Sequence, residues 1–199
     1  VDSNLRYKAL HYAAKKFYAP VAMGLFLEKD KLTVNISNET MTDFEGEIRL
    51  VISNSEFEEK MTVKHKFSVE KITSRDIFDV KVDFENKYDE FVYVDLYDKN
   101  GIFITRSTQL LTTAKHFNWK KPEFEVDITD CEDGVEIKVK SNVFAKNISI
   151  DFDEYDCVLS DNFFDITNSE YYVISSKTNH KAQKLKKALK ITSVYDIGR

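Results

Sequence analysis

The sequence predicts an all-β protein, with two tandem immunoglobulin-like β-sandwiches preceded by one N-terminal α-helix. Apolar residues recur at three- and four-residue steps before Pro20 and at two-residue steps after it. The two-residue pattern comes in short runs bounded by turn residues. A segment with one proline and two lysines divides these runs into two sets, each with the count and spacing of an immunoglobulin-like sandwich. We therefore predict a helix at 1–20, sandwiches at 21–116 and 123–199, and a linker at 117–122.

The helix is predicted from the segment RYKALHYAAKKFYAPV, residues 6–21. A short polar side chain at Ser3 or Asn4 can accept a free N–H group of the first turn. Pro20 disfavours helical geometry in the residue before it, so the helix should end there. Four apolar side chains share one face of the helix: Tyr7, Leu10, Ala14 and Phe17.

Two sets of runs with period two supply the strands. The last hairpin of the first set is predicted from Asn100-Gly101, because both residue types tolerate positive φ. The linker that follows contributes Phe117 and Trp119, which are candidates for packing between the two domains. The first set comprises 21–27, 32–37, 44–52, 61–69, 77–84, 91–97 and 102–111. The second comprises 124–128, 135–139, 148–152, 157–159, 171–175 and 189–194.

The composition excludes several classes of function. Hydrophobic residues make up 42% of the chain, enough for packed cores, and the formal net charge is −5. Nucleic-acid binding normally needs a clustered basic face. The one basic run, 180–190, lacks interleaved aromatics and is interpreted as a solvated loop or strand edge. Nucleic acid is therefore not predicted as a partner. No apolar run approaches the roughly 20 residues of a membrane helix, so a membrane is not predicted as a partner either.

The cysteines bear on compartment and metal binding. Cys131 and Cys157 are interpreted as free thiols in a reducing compartment, with one bridge left open. No Cys-x-x-Cys pair or histidine cluster indicates zinc, and no cofactor is predicted. Val1 does not begin a signal peptide, and the chain does not start with Met. We therefore expect a cytoplasmic fragment of a longer protein.

No catalytic residue and no metal site are predicted. The acidic group Asp151, Asp153, Glu154 and Asp156 lacks the glycine turn and closing Glu of a calcium loop. We interpret Asp151 and Asp153 as the solvated face of a half-buried strand. No pair among the 34 acidic residues is distinguished as a glycosidase pair. The histidines are scattered and have no Ser or Cys at motif spacing: His11, His65, His116 and His180.

Aromatic residues leave glycan binding open. Tyr93 and Tyr97 have a parity opposite to that of the apolar residues Val92, Val94 and Leu96, which makes them candidates for an exposed stripe. A pyranose ring can stack on such a stripe. The alternative is that these side chains are core residues or cross-strand pairs. The substrate-binding residues therefore stay unknown.

Two stretches resemble the β-mannosidases of glycoside hydrolase family 2. The segments YKALHY at 7–12 and KKFYAPV at 15–21 are similar to the end of the last barrel helix of that family. The segment LSDNFFDI at 159–166 is similar to the Ser-Asp-Asn-aromatic-Phe-Asp motif of its C-terminal immunoglobulin-like domain. The segments 140–152 and 189–197 fit the same domain. The following turn departs from the family, because Ile-Thr-Asn-Ser-Glu replaces Leu-x-Pro-Gly-Glu.

The resemblance implies a non-catalytic accessory region. The carboxylates of the retaining reaction would lie on a (β/α)8 barrel that has no counterpart here. The helix would be a remnant of that barrel, which is then the expected intramolecular partner, and self-association is left open. We expect the helix to be less covered than any strand. Full burial of Leu10, Ala14 and Phe17 against the first sandwich would contradict this expectation.

The resemblance also gives an expectation for the Asp and Asn residues of the segment 159–166, and it leaves other functions of the chain open. Asp161, Asn162 and Asp165 are expected to be structural, because Asx side chains bond nearby backbone in tight turns. The main alternative function is a carbohydrate-binding module for mannan-type glycans, and a further one is a plain spacer. An exo-glucosaminidase or endo-mannosidase parent also stays open, because specificity would lie in the barrel.

Overall fold

The structure is a computed structural model that describes residues 7–82 and 84–197. The predicted N-cap residues, Ser3 and Asn4, lie outside the described residues. The chain divides into two compact units, Ala14–Asn118 and the combination of Val1–Ala13 with Trp119–Arg199. Each unit contains two antiparallel sheets, and a helix precedes the first strand. The predicted all-β fold class is therefore confirmed.

Helix α1 spans Ala9–Phe17. Its last helical hydrogen bond runs from the N–H of Tyr18 to the carbonyl of Ala14, at 2.9 Å. The helix thus ends shortly before Pro20, as the sequence predicted. Only one of its side chains, Tyr12, is buried.

The first unit is a seven-stranded sandwich in the part of the chain described. One sheet has the strand order β1-β2-β5 and the other β4-β3-β6-β7, and all neighbours are antiparallel. A 3-10 turn at Ala114–His116 follows the last strand. The strands are β1 (Val21–Glu28), β2 (Lys31–Asn38), β3 (Phe44–Asn54), β4 (Glu59–Val69), β5 (Thr73–Lys81), β6 (Glu90–Asp98) and β7 (Phe103–Leu110).

The core of the first unit comes largely from alternate residues of three strands. Side chains of one parity on β2, β3 and β6 meet between the sheets, because successive residues of a strand point to opposite faces. The hairpin between β6 and β7 turns at Gly101, which has φ of +79°, so the predicted Asn-Gly turn is confirmed. The buried core residues include Leu32, Val34, Ile36, Ile48, Leu50, Ile52, Val92, Val94 and Leu96.

The second unit has sheets of strand order β11-β13-β9-β8 and β12-β10-β14. Phe144 is 2% exposed in its core, and Trp119 stacks on it with ring centroids 5.8 Å apart. The elements are β8 (Phe124–Cys131), β9 (Gly134–Ser141), β10 (Ala145–Asp151), β11 (Val158–Leu159), β12 (Phe164–Ile166), β13 (Tyr172–Lys177), α2 (Ala182–Ala188), β14 (Lys190–Thr192) and α3 (Val194–Ile197).

The interpretation of the basic run 180–190 as a loop or strand edge is wrong. Most of it forms α2, whose Ala182 and Leu185 are buried while the lysines Lys184, Lys186 and Lys187 are exposed. Apolar residues three apart on a segment of Ala, Leu, Gln and Lys are the pattern of a short amphipathic helix.

No helix within 7–82 or 84–197 is both long and apolar enough to cross a membrane.

Candidate functional site

The helix α1 is anchored through Tyr12, and this contact joins the two stretches that carried the family resemblance. Tyr12 is 5% exposed, and its ring lies 6.0 Å from that of Phe163, measured between centroids. The backbone of Leu159 hydrogen-bonds the Tyr12 hydroxyl. We call the residues Leu159, Asp161, Asn162 and Phe163 the Tyr12 socket. The helix and the socket are about 150 residues apart in the chain, so this is a long-range contact.

Asn162 gives the socket its shape. It is 8% exposed, and its side chain pairs with the backbone of Ile150 in β10. The amide oxygen accepts the N–H of Ile150 at 2.9 Å, and the amide nitrogen donates to the carbonyl of Ile150 at 2.9 Å. The side chain thereby satisfies both backbone groups, as a neighbouring strand would. The next residue, Phe163, adopts a left-handed φ of +58°, and its ring contacts Tyr12.

The two aspartates of the segment 159–166, Asp161 and Asp165, bond to other segments of the second unit. Asp161 accepts a hydrogen bond from the Tyr172 hydroxyl at 2.6 Å. Asp165 accepts one from the N–H of Asn147 and pairs with Lys146, each at 2.7 Å. The side chains of the motif therefore hold other segments of the second unit in place. The local bonds to backbone that the sequence suggested are also present, since Asp161 accepts the N–H of Asn162 at 2.9 Å and Asn162 accepts the N–H of Phe163 at 3.0 Å.

The environment of Tyr12 keeps its hydroxyl neutral. Burial raises the pKa of Tyr12, and the nearby charge of Asp161 raises it further, while the hydrogen bond with Leu159 acts in the opposite direction. On the helix side, Tyr7 stacks on His11 with centroids 3.8 Å apart, and His11 meets Tyr12 edge-on at 5.4 Å. The buried ring is thus held by aromatic contacts from both the helix and the loop.

The apolar helix face predicted from the sequence is open. Leu10 is 77% exposed and Phe17 is 72% exposed, and among the described strands none leaves two large apolar side chains as exposed as these. Ala14 is half-buried. The sequence reasoning named this face correctly but missed Tyr12, whose only signal was its place in the family-like stretch.

Removing the Tyr12 ring should detach α1 from the socket. We expect Tyr12→Ala to cost about 3 kcal/mol of docking free energy, in the range for a buried aromatic side chain. Faster amide hydrogen exchange in α1 and in residues 159–165 would report the loss. Phe17→Ala, on the exposed part of the same helix, is the matched control and should leave both segments protected. Equal exchange in the two variants would contradict the anchor.

Tyr93 and Tyr97 do not form an exposed stripe, and the structure supports the alternative in which these side chains are covered. Tyr93 is 1% exposed and Tyr97 is half-buried, although both have the predicted parity. Their face of the sheet also buries Phe91 and Asp95, each at 0% exposure. Parity placed these side chains on the face away from the hydrophobic core that contains Val94, yet that face is covered as well. A glycan cannot stack on Tyr93 in this arrangement.

A charged cluster occupies that face instead. Asp95 accepts hydrogen bonds from Nε and Nη2 of Arg106, the latter at 2.8 Å. Arg49 donates to Glu59 at 2.6 Å, and its Nη1 lies 3.9 Å from Asp95. The Arg106 guanidinium lies 4.7 Å from the centroid of the Tyr93 ring. The arrangement is a structural ion-pair network in which the buried carboxylate is satisfied by bidentate pairing.

Burial and charge shift the ionisation of this cluster. Burial raises the pKa of Tyr93 to about 12, with Arg49 opposing the rise and Glu59 adding to it. Burial acts to lower the pKa of Arg106, but the hydrogen bonds and charge of Asp95 outweigh it and hold that pKa above its ordinary value. The tyrosine therefore stays protonated and the arginine stays charged across the physiological range.

The acidic group at 151–156 does not converge. β10 ends at Asp151, and Asp153 sits in the following turn with φ of +43°, paired with Lys190. The interpretation of Asp151 and Asp153 as one strand face is wrong, because the strand ends between them. Within the residues described, no group of three or more His, Cys, Asp or Glu side chains could hold a metal ion.

The remaining candidates are also dispersed. His65 packs on Phe78, His180 lies against Tyr155, and His116 belongs to the 3-10 turn. The two cysteines, Cys131 and Cys157, are both free thiols, as interpreted from the sequence. Burial raises the pKa of the Cys157 thiol, which disfavours its reactive thiolate form.

The two units are immunoglobulin-like β-sandwiches, one with a loop that anchors the helix α1 and the other with a structural charge network. Residues 30–116 match the family described as a mannosidase Ig/CBM-like domain. Residues 119–197 match the Ig-fold domain family of mannosidases. Each half of the chain therefore contains a domain of a mannosidase immunoglobulin-like family.

Solved structures share the fold. A β-D-mannosidase from Dictyoglomus thermophilum is 19% identical and superposes with a TM-score of 0.81 over 92% of this chain. The exo-chitosanase CsxA from Amycolatopsis orientalis is 14% identical, with a TM-score of 0.71 over 97% of the chain. This chain spans 22% of the first protein and 28% of the second. No curated protein sequence matches it significantly.

Proposed function

We propose that this chain is the non-catalytic C-terminal accessory region of a retaining β-mannosidase, supporting a catalytic barrel and its last helix. The observation that carries the proposal is the tandem of two mannosidase-type domain families over residues 30–116 and 119–197. The fold shared with a β-D-mannosidase over 92% of the chain supports it. In such an enzyme, one barrel carboxylate acts as nucleophile and another as acid and base.

The exposed face of α1 supports a barrel as the intramolecular partner. Leu10 and Phe17 are large apolar side chains left 77% and 72% exposed, and Tyr12 on another face of the helix is held by the socket. Such a helix is apolar on two sides, as expected of an element lying between a sandwich and a second body. The proposal includes a cytoplasmic location, because both cysteines are free thiols and free thiols are typical of a reducing compartment. It also includes self-association of this region.

The proposal is tested by turnover of an aryl β-mannoside. This chain is compared with a chain extended upstream in the same gene, and only the extended chain should be active. An aryl β-glucosaminide tests the alternative specificity in parallel. Activity of the extended chain on the glucosaminide alone would reject the mannosidase assignment, and activity in neither chain would reject the accessory role.

One substitution sharpens this test, because its effect should depend on context. Phe17→Asp changes an exposed residue of the chain as it stands and should alter its stability by less than about 0.5 kcal/mol. In the extended chain the same change would place a charge in a buried contact and should cost several kcal/mol, with loss of turnover. A silent Phe17→Asp in both chains would remove the support that the exposed face provides.

A second candidate function, glycan binding, is favoured by a different surface from the one predicted. Phe26 in β1 is 61% exposed, and its ring lies 3.1 Å from where a Cβ of Gly24 would be. Asn35, the cross-strand partner of Gly24, donates to Asp76 at 2.8 Å. An exposed ring next to polar side chains suits a pyranose. Mannooligosaccharide binding that is lost in Phe26→Ala would establish this function for the chain.

A further inference from the structure

Three loops of the first sandwich each expose a large apolar side chain. Met41 in the β2–β3 loop is 78% exposed, and Ile72 in the β4–β5 loop and Ile102 in the β6–β7 hairpin are each 63% exposed. We call these three residues the apolar tips. Single exposed apolar residues are common on protein surfaces, so the placement of the three tips relative to one another decides whether they form a contact surface.

The strand register places the apolar tips at the same end of the sandwich. Asn38 is the last residue of β2 and pairs with Thr73, the first residue of β5. The β2–β3 and β4–β5 loops therefore lie side by side. In the other sheet, Gly46 near the start of β3 pairs with Asp98, the last residue of β6. The hairpin that carries Ile102 thus lies at the end where the β2–β3 loop enters β3.

Polar side chains hold these loops in fixed conformations. Asn38 is 1% exposed, and its amide nitrogen donates to the carbonyls of Thr42 at 2.9 Å and Glu70 at 3.1 Å, which joins the first two loops. In the third loop, the N–H of Ile102 donates to the carboxylate of Asp98 at 2.8 Å. Loops that are ordered before a partner binds lose less conformational entropy on binding.

Ile72 occupies a backbone position that suits another residue type. Its φ is +52°, in the left-handed region, where a β-branched side chain is disfavoured and Gly or Asn is usual. Its side chain gains little burial in return. At the opposite end of the sandwich, the β1–β2 turn has Lys29 at a φ of +58°, exposed and charged. The fold therefore does not require an apolar tip in such a turn, and a contact with another body would account for Ile72.

The connection from α1 runs beside the apolar tips, which identifies the other body. The N–H of Glu39 donates to the carbonyl of Pro20 at 2.8 Å, so this connection lies against the loop that carries Met41. Phe17 and Tyr18, where α1 ends, are 72% and 87% exposed. A body that covers the end of α1 therefore lies next to the tips. In the proposed parent enzyme that body is the catalytic barrel.

We propose that the apolar tips form a second contact between the first sandwich and the barrel, on an apolar surface of the barrel. The contact depends on the proposed function, because that function supplies the barrel. Contact through α1 alone would leave the sandwich free to rotate about the connection at 18–20. A second contact beside that connection prevents the rotation. This chain spans 22% of the β-D-mannosidase that shares its fold, so most of that protein lies outside the matched region.

Hydroxyl-radical labelling with residue-resolved mass spectrometry tests the contact. The 199-residue chain is compared with the chain extended upstream in the same gene. Met41, Ile72 and Ile102 should react at least about fivefold more slowly in the extended chain, as expected of side chains in the dry core of an interface. Phe26, which is 61% exposed on β1, is the matched control and should react equally in the two chains.

Ile72→Asn separates the backbone strain from the contact. In the 199-residue chain it should raise the thermal unfolding midpoint by at least about 1 °C, because Asn adopts the left-handed conformation more readily than Ile. In the extended chain it should increase the labelling rate of Met41 at least about twofold, because it places a polar side chain in an apolar contact. Lys29→Asn, at the left-handed position of the opposite end, should leave the Met41 rate unchanged.

The outcomes distinguish this contact from the proposed function. Equal labelling of the tips in both chains, together with turnover of the aryl β-mannoside by the extended chain, would overturn the contact and leave the function standing. Slow labelling of the tips in an extended chain without that turnover would support the contact and count against the function. Protection that appears in the 199-residue chain as its concentration rises would identify a second copy as the occupant, and the proposal would then be wrong.

Discussion

Asp95→Asn should destabilise the first sandwich by about 3 kcal/mol. Asp95 is fully buried and accepts two hydrogen bonds from Arg106. The amide keeps the shape but removes the negative charge, so the partly buried guanidinium of Arg106 loses the carboxylate that compensates its positive charge. Urea unfolding followed by far-UV circular dichroism would measure the loss.

Two further variants separate the buried charge from the lost hydrogen bonds. Asp30→Asn removes one partner of the exposed Lys81–Asp30 pair, 3.2 Å apart, and should cost less than about 1 kcal/mol. The double variant Asp95→Leu with Arg106→Met removes both charges and should recover most of the stability. A double variant as unstable as Asp95→Asn would show that packing, rather than the unpaired charge, accounts for the effect.

Asn162→Asp should destabilise the second sandwich by about 2–4 kcal/mol. The amide nitrogen of Asn162 donates to the carbonyl of Ile150 at 2.9 Å. A carboxylate in its place leaves that buried carbonyl without a donor and brings a negative charge against it. The single tryptophan of the chain, Trp119, stacks on Phe144 in the same unit, so its fluorescence reports unfolding there.

The pH dependence of Asn162→Asp provides a sharper test. The new carboxyl group can donate to Ile150 when it is protonated, so the folded state favours the neutral acid and raises its pKa above the unfolded value. The deficit should therefore be smallest below about pH 4 and grow as the pH rises through the folded pKa. Asn142→Asp, which keeps an exposed acceptor for the N–H of Glu123, should show neither effect. A deficit independent of pH would contradict the hydrogen-bond explanation.

The Tyr12 socket connects these results to function. Asn162 holds the loop on β10, and the loop holds α1 through Phe163. Asn162→Asp and Tyr12→Ala should therefore both release the helix, one by disturbing the loop and the other by removing the ring. In the proposed parent enzyme this is the route by which the second sandwich would support the last helix of the barrel.

Much of the fold follows from local pattern. The change of period at Pro20, the alternation in β2, β3 and β6, and the Asn-Gly turn each predicted an element that the structure contains. The helix α2 could also have been predicted, since Ala182 and Leu185 lie three apart among good helix formers. The basic charge of that segment was given more weight than its apolar spacing.

The contacts of the candidate sites could not be predicted in this way. Tyr12 is buried by a loop about 150 residues away, and no local period indicates that contact. Glu90 has the strand parity of a core residue but the charged side chain of a surface residue, so the sequence alone leaves its burial undecided. In the structure it is buried at the first position of β6. Both cases depend on residues distant in the chain.

The sequence by itself determined which residues form most of the strands, where the chain turns, and which side chains share a face. The tertiary structure alone decided whether each face is covered. Tyr93 and Phe26 both lie on faces turned away from the core, yet one is 1% exposed and the other 61%. The reason is physical: backbone geometry fixes the direction of a side chain within its own strand, whereas burial depends on what packs against that strand from elsewhere in the chain.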